Sequence, residues 1–141
     1  AINKQLKTEN KSTDNLTEID FNYDCKVAKQ MNTIENYAKS LEKFRFLLKK
    51  DISKELEDNC QFWIGQIYFS NKEYKKAIIE FQKVLNYTDC NKKSESIYKI
   101  GLSELKLNNN TNAKKMFQII VSNYPKSKYY NKASEFLITL K

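Results

Sequence analysis

Four pairs of landmark residues recur at one spacing: Gly65 and Gly101, Ala77 and Ala113, Phe81 and Phe117, Leu85 and Val121 are each separated by 36 residues. A period of that size is the mark of an array in which each unit is one supersecondary element that cannot bury its apolar face alone. Within the unit, Cys60, Ile64, Ile67 and Tyr68 fall on one helical face, and Tyr74, Ala77, Ile78, Phe81, Val84 and Leu85 on a second, at i, i+3, i+4 and i+7. The next unit repeats this with Ile97, Ile100 and Gly101, then Ala113, Met116, Phe117, Ile120 and Val121. Polar breaks separate the faces: Ser70-Asn71-Lys72 in one unit and the run Asn108 to Asn112 in the next. Tyr124-Pro125 ends the later helix, because the residue before proline is driven out of the α region.

An earlier, degenerate unit follows at a 37-residue offset, pairing Tyr37 with Tyr74, Ser40 with Ala77, Phe44 with Phe81 and Leu48 with Leu85. Its first helix would carry Val27, Ala28 and Met31. Ala133, Phe136, Leu137 and Leu140 form a last amphipathic face that closes the stack. The expected architecture is therefore all-α: a helix-hairpin solenoid of about three repeats, near 20–51, 53–88 and 91–125, with a capping helix in 127–141. Residues 1–19 lack apolar periodicity and read as a polar arm or linker ahead of a single domain over 20–141.

Composition removes most chemistry. With no histidine, two glycines and one proline among 141 residues, histidine-based triads, histidine-ligated metals, P-loops and Gly-rich dinucleotide turns lack their parts. Cys25, Cys60 and Cys90 have no CxxC spacing and are expected to be small apolar fillers rather than zinc ligands or a disulfide framework. No metal or other cofactor is expected, and neither is catalysis: carboxylates such as Glu55, Glu57 and Asp58 sit on helices whose polar faces meet water. The formal charge is +8, but it comes from 24 lysines and one arginine, Arg45. Lysine supplies point charge without the bidentate fork that reads bases and phosphates, so a nucleic-acid or anionic-lipid partner is the weaker alternative.

Small residues at the repeat positions serve close approach. Gly65 and Gly101 let the first helix of each pair touch its partner, Ala77 and Ala113 do the same from the other side, and Phe81 and Phe117 fill the space beside them. Trp63 is expected to brace neighbouring repeats. A unit of this length with Gly and Tyr on its first helix, Ala and Phe on its second and Pro after it resembles the tetratricopeptide repeat (TPR), which implies a right-handed solenoid with a concave groove lined by the first helices. Counted from the small residue, the groove positions are Phe62, Gln66 and Phe69 in the middle repeat and Tyr98, Leu102 and Leu105 in the third. The first repeat offers Cys25, Lys29 and Asn32. The resemblance implies a non-enzymatic scaffold that holds a protein segment there. Self-association through Tyr98, Leu102 and Leu105 is the rival use of the same surface. These slots do not supply the Lys/Asn, Asn and Lys/Arg set with which chaperone-tail-binding repeats clamp a terminal carboxylate.

Asn59-Cys60-Gln61-Phe62-Trp63-Ile64-Gly65-Gln66 resembles the Asn-Ala-x-Tyr-Trp-Leu-Gly-Glu signature of the Tol-Pal-associated periplasmic family (YbgF/CpoB), and Tyr124-Pro125-Lys126-Ser127 resembles its Tyr-Pro-x-Ser. That resemblance implies a periplasmic or envelope-associated bacterial protein linked to cell-division coordination. Scaffolds of other envelope machines (outer-membrane barrel assembly, pili, secretion systems, flagellar motors) carry related repeats and imply the same class of partner. A cytoplasmic location is the alternative.

Overall fold

A computed structural model describes residues 34–49 and 53–140. Among them six helices follow one another: α1 Ile34–Leu48, α2 Lys54–Ser70, α3 Tyr74–Val84, α4 Lys93–Lys106, α5 Asn110–Asn123 and α6 Tyr130–Thr139. The described residues contain no strand. The expected arm over 1–19 and the first helix of the first repeat, with Val27, Ala28 and Met31, lie outside the described residues.

Local chemistry sets the boundaries. Ser53, in extended backbone, caps α2 by accepting a hydrogen bond from the Leu56 amide at 3.4 Å. At the other end Lys72 takes φ 61°. The Glu73 amide then donates to the Tyr68 carbonyl at 2.9 Å and the Lys72 amide to the Phe69 carbonyl at 3.0 Å, the paired bonds of a Schellman stop. The same stop recurs 36 residues later, with Asn108 at φ 60°, Asn109 bonded to Glu104 at 2.8 Å and Asn108 to Leu105 at 3.0 Å. After Tyr124-Pro125, a tight turn in which the Ser127 hydroxyl accepts from the Tyr129 amide and meets Ser94 delays α6 to Tyr130.

Consecutive helices pack antiparallel as hairpins, α2 on α3 and α4 on α5, and each hairpin leans on the next through α3 and α4. In addition α2 and α4 touch each other directly. The alternate helices α2 and α4 therefore form an inner row, continued by α6, and α1, α3 and α5 an outer one. The core runs through the stack as linked clusters. Tyr37, Phe44, Cys60, Ile64 and Ile67 make the first, and Trp63 and Tyr68 belong to it and to the next. Leu85 and Met116 bridge the second to a third built on Ile97, Ala113, Phe117, Ile120 and Ala133. A Cβ added to Gly65 would lie 2.6 Å from the ring of Phe81, and one on Gly101 the same distance from the ring of Phe117. The second helix of each hairpin thus drives a phenyl ring into a notch that only glycine leaves open.

Candidate functional site

The inner row faces the side where a solenoid of this kind presents its concave surface. Phe62, expected to line it, is a core residue: it is 1% exposed, packs edge-on against Trp63 at 5.6 Å and tilts against Phe81 at 5.5 Å. Its position three before Gly65 points it into the hairpin seam, because Phe81 occupying the glycine notch brings a ring beside it. Trp63, half-buried, joins the first two core clusters. Gln66 is half-buried; its amide nitrogen donates to the Ser70 hydroxyl at 3.2 Å, while its buried carbonyl oxygen accepts no hydrogen bond. Phe69, also half-buried, meets Tyr74 edge-on at 5.6 Å.

Two lysines of the next repeat reach back over these rings. Lys92 Nζ stands 4.9 Å from the Phe62 centroid and Lys99 Nζ 4.7 Å from that of Phe69. Each residue pair is one seven-residue step apart on its chain segment, so the α2–α4 seam is a short ladder of cation over ring. That regularity is visible in the sequence once the two segments are set side by side, although spacing counted from the glycines does not point to it.

Tyr98 is 8% exposed, stacked on Tyr129 at 4.6 Å and close to Phe117. It shows only an edge to the surface, at the floor of an open cavity of about 350 Å³ bounded by Lys132, Glu135, Phe136 and Thr139. Burial, then the charge of Glu135, raises the Tyr98 phenol above its ordinary value, so it is a neutral hydrogen-bonding group there. Leu102 and Leu105 are half-buried against the third core cluster. The cavity residues on α6 have no place among the repeat-derived groove positions, because α6 reads in sequence as a cap. Lys132, Glu135 and Thr139 nonetheless follow an i, i+3, i+7 rule that puts them on one face. Lys29, Asn32 and Cys25 lie outside the described residues.

The structure brings Phe69, Leu102, Leu105 and the edge of Tyr98 to the inner row, and moves Phe62 beneath it. The burial of most of Tyr98 also leaves little of it for a second copy of the chain. Cys60 and Cys90 are buried free thiols. Burial first, then Asp58 and Glu57, pushes the Cys60 thiol up to about 12, and burial likewise raises Cys90, which keeps both in the unreactive thiol form at neutral pH. No group of three or more His, Cys, Asp and Glu able to hold a metal occurs among the described residues.

Comparison with protein families finds two matches, both to tetratricopeptide repeat models: one over residues 59–88 and one over 95–127. They coincide with the α2–α3 and α4–α5 hairpins. No curated protein matches the chain significantly.

Proposed function

We propose that this tetratricopeptide-repeat protein is a non-enzymatic scaffold whose inner row, α2, α4 and α6, holds a segment of a partner protein. The observation that carries the proposal is the open cavity over Tyr98. It offers an apolar floor of Tyr98 and Phe136, with Lys132 and Glu135 as opposite charges on its rim. Apolar pockets with a few convergent polar groups are where a partner's anchoring side chains gain the most. Phe69, Leu102 and Leu105 extend that surface toward the lysine ladder.

The finer reading places this scaffold in a bacterial envelope assembly, with Tol-Pal-linked division coordination as the leading pathway and another envelope machine as the rival. It rests on the octapeptide Asn59 to Gln66 and on Tyr124 to Ser127. Fractionation of the source cells tests the compartment: recovery with the envelope supports the reading, and recovery in the cytosol removes it.

The groove is tested by cross-linked pull-down with the parent chain beside a Lys132→Glu, Thr139→Trp double variant. Both positions are exposed, so the fold is expected to persist, as circular dichroism would check. Partners recovered by the parent and lost by the variant support the groove; the same partners from both baits overturn it. Phe62→Ala is no substitute, because removing a buried ring costs about 3–5 kcal/mol and would report on folding.

A further inference from the structure

The two seams of the inner row are not alike. On the face of α4 that carries Lys92 and Lys99 toward α2, Ser96 and Ser103 are 0% exposed, so small side chains let α2 and α4 close on each other. Thirty-six residues later, α6 has Lys132 and Thr139 in those places and Glu135 in that of Lys99, all three exposed. Charged side chains resist burial without partners. The α4–α6 seam therefore stays open, as the cavity of about 350 Å³ over Tyr98 and Phe136.

Charge is as uneven as packing. Of the 25 basic and 17 acidic residues, ten and three fall in 91–141, which gives that stretch +7 of the net +8. Its three carboxylates do not neutralise the groove. Glu95 is paired with Lys92 at 3.4 Å, Glu104 falls on the face of Ile97 and Gly101, away from the groove, and Glu135 stands on the cavity rim. Lys132 shares that rim, Lys106 is exposed one turn beyond Leu102, and Lys128 stands 5.2 Å from the centroid of Tyr129, the ring stacked on Tyr98. One stretch of the chain has the complementary make-up. Residues 12–24, outside the described ones, hold Asp14, Glu18, Asp20 and Asp24 and no lysine or arginine, interleaved with Leu16, Ile19, Phe21 and Tyr23.

We propose that residues 12–24 of the same chain occupy the inner groove, with Ile19 or Phe21 in the α4–α6 cavity and the carboxylates at Lys106, Lys128 and Lys132. The proposal rests on the reading of the inner row as a binding surface and adds its regulation: a partner segment has to displace the chain's own. Reach allows it. Extended chain spans about 3.3 Å per residue, so Asp24 to Asp14 covers about 33 Å, against about 20 Å from α2 to α6 at about 10 Å per helix. Tethering supplies an effective concentration on the order of millimolar, at which individually weak attractions suffice, and this favours the chain's own segment over a second copy's.

The test uses the purified full chain with a photoactivatable cross-linker at Thr139, mixed with an equal amount of isotope-labelled chain so that adduct masses tell one chain's own segment from a second copy's. The expected result is an adduct within one chain that maps to residues 12–24 and weakens at high salt. It should fall roughly tenfold when Asp14→Asn, Glu18→Gln, Asp20→Asn and Asp24→Asn are combined, four screened attractions being lost together. An Ile19→Ser, Phe21→Ser variant should lose roughly tenfold as well, and the same cross-linker at Lys115 on the outer row should give no such adduct. Circular dichroism confirms that each variant keeps its helices. Adducts that map elsewhere, that join two copies, or that the neutralised variant keeps in full overturn the proposal. If the pure chain lacks the adduct while a cellular partner still cross-links at position 139, the proposal fails and the groove reading stands. If the pure chain gives the adduct and no cellular partner does, the segment is the occupant and the partner reading fails.

Discussion

The hairpins α2–α3 and α4–α5 share a backbone plan and differ in what seals them. In the first, Gln61 donates to the Glu80 carbonyl at 3.0 Å and to its carboxylate at 2.6 Å, and Arg45 reaches the same carboxylate from α1. Three helices are tied by one carboxylate that is 5% exposed. In the second hairpin the residues 36 positions later are Ile97 and Met116, and the polar staple is gone. Aromatic stacking replaces it: Tyr98 lies on Tyr129 at 4.6 Å and Phe117 on Phe136 at 4.7 Å, which ties α6 to the stack. One repeat geometry therefore accepts a hydrogen-bonded, charge-bearing seam at one end and an apolar one at the other. The first should lose stability in acid through its buried Glu80 carboxylate, and at the matching position of the second stands Met116.

The largest effect should come from the rings. Phe117→Ala and Phe81→Ala should each cost about 3–5 kcal/mol in a denaturant titration. They should differ in place: hydrogen exchange should show α6 losing protection only with Phe117→Ala, because Phe136 stacks on that ring. Equal loss along the chain from both variants would dissolve the distinction between the seams.

Next is the staple. Glu80→Ala removes the acceptor shared by Gln61, Arg45 and Lys83 and should destabilise by about 1–3 kcal/mol. Replacing Glu80 and its buried partner with their counterparts, Gln61→Ile with Glu80→Met, should cost less than Glu80→Ala, since no buried polar group is then left unpaired, while Arg45 and Lys83, which also lose the carboxylate, reach solvent. A double variant worse than the single would show that the staple is not interchangeable with the apolar seam.

The same pair separates the seams by pH. Burial raises the Glu80 carboxyl, but the hydrogen bonds from Gln61 and Arg45 and the charges of Lys83 and Arg45 outweigh it, so the group lies below the usual glutamate value. Its contribution is complete above that ordinary value and is lost as pH falls through the lowered folded one, because the unfolded chain binds the proton first. Stability measured from neutral pH down through the carboxylate range should fall in the parent. The Gln61→Ile, Glu80→Met variant should lose part of that slope.

The two Schellman stops give the smallest contrast. Lys72 holds a left-handed backbone that costs a side chain about 1 kcal/mol, whereas asparagine, at 108, tolerates it better. Lys72→Gly should stabilise by roughly 0.5 kcal/mol and Asn108→Gly by less, read as shifts of the denaturant midpoint.

The repeat plan was legible because it rests on shape. Glycine at 65 and 101, alanine at 77 and 113 and phenylalanine at 81 and 117 are the residues that a close helix crossing needs, and spacing alone exposes them. The polar breaks at Asn71 and Asn108 likewise mark the helix stops. The seam chemistry was less legible, because periodicity shows that a side chain faces inward but not what it meets. Glu80 stands at i+3 from Ala77 on the buried face, which required a partner, yet nothing local points to Gln61 or Arg45. Phe62 shows the limit for the groove. A position three before the glycine can face the concave surface or the hairpin seam, and the phenyl ring in the glycine notch decides for the seam. Lys132, Glu135 and Thr139 were hidden for another reason: a helix that caps a stack also completes its last pocket.

The central claim is that the inner row is the partner surface, and a photoactivatable cross-linker placed at Thr139 tests it most directly. It should be run in the source cells beside the same group at Lys115 on the outer row. The account expects a discrete protein adduct from position 139 that Lys132→Glu abolishes, with no such adduct from position 115. Adducts from position 115 alone, or a position-139 adduct indifferent to Lys132→Glu, would contradict it.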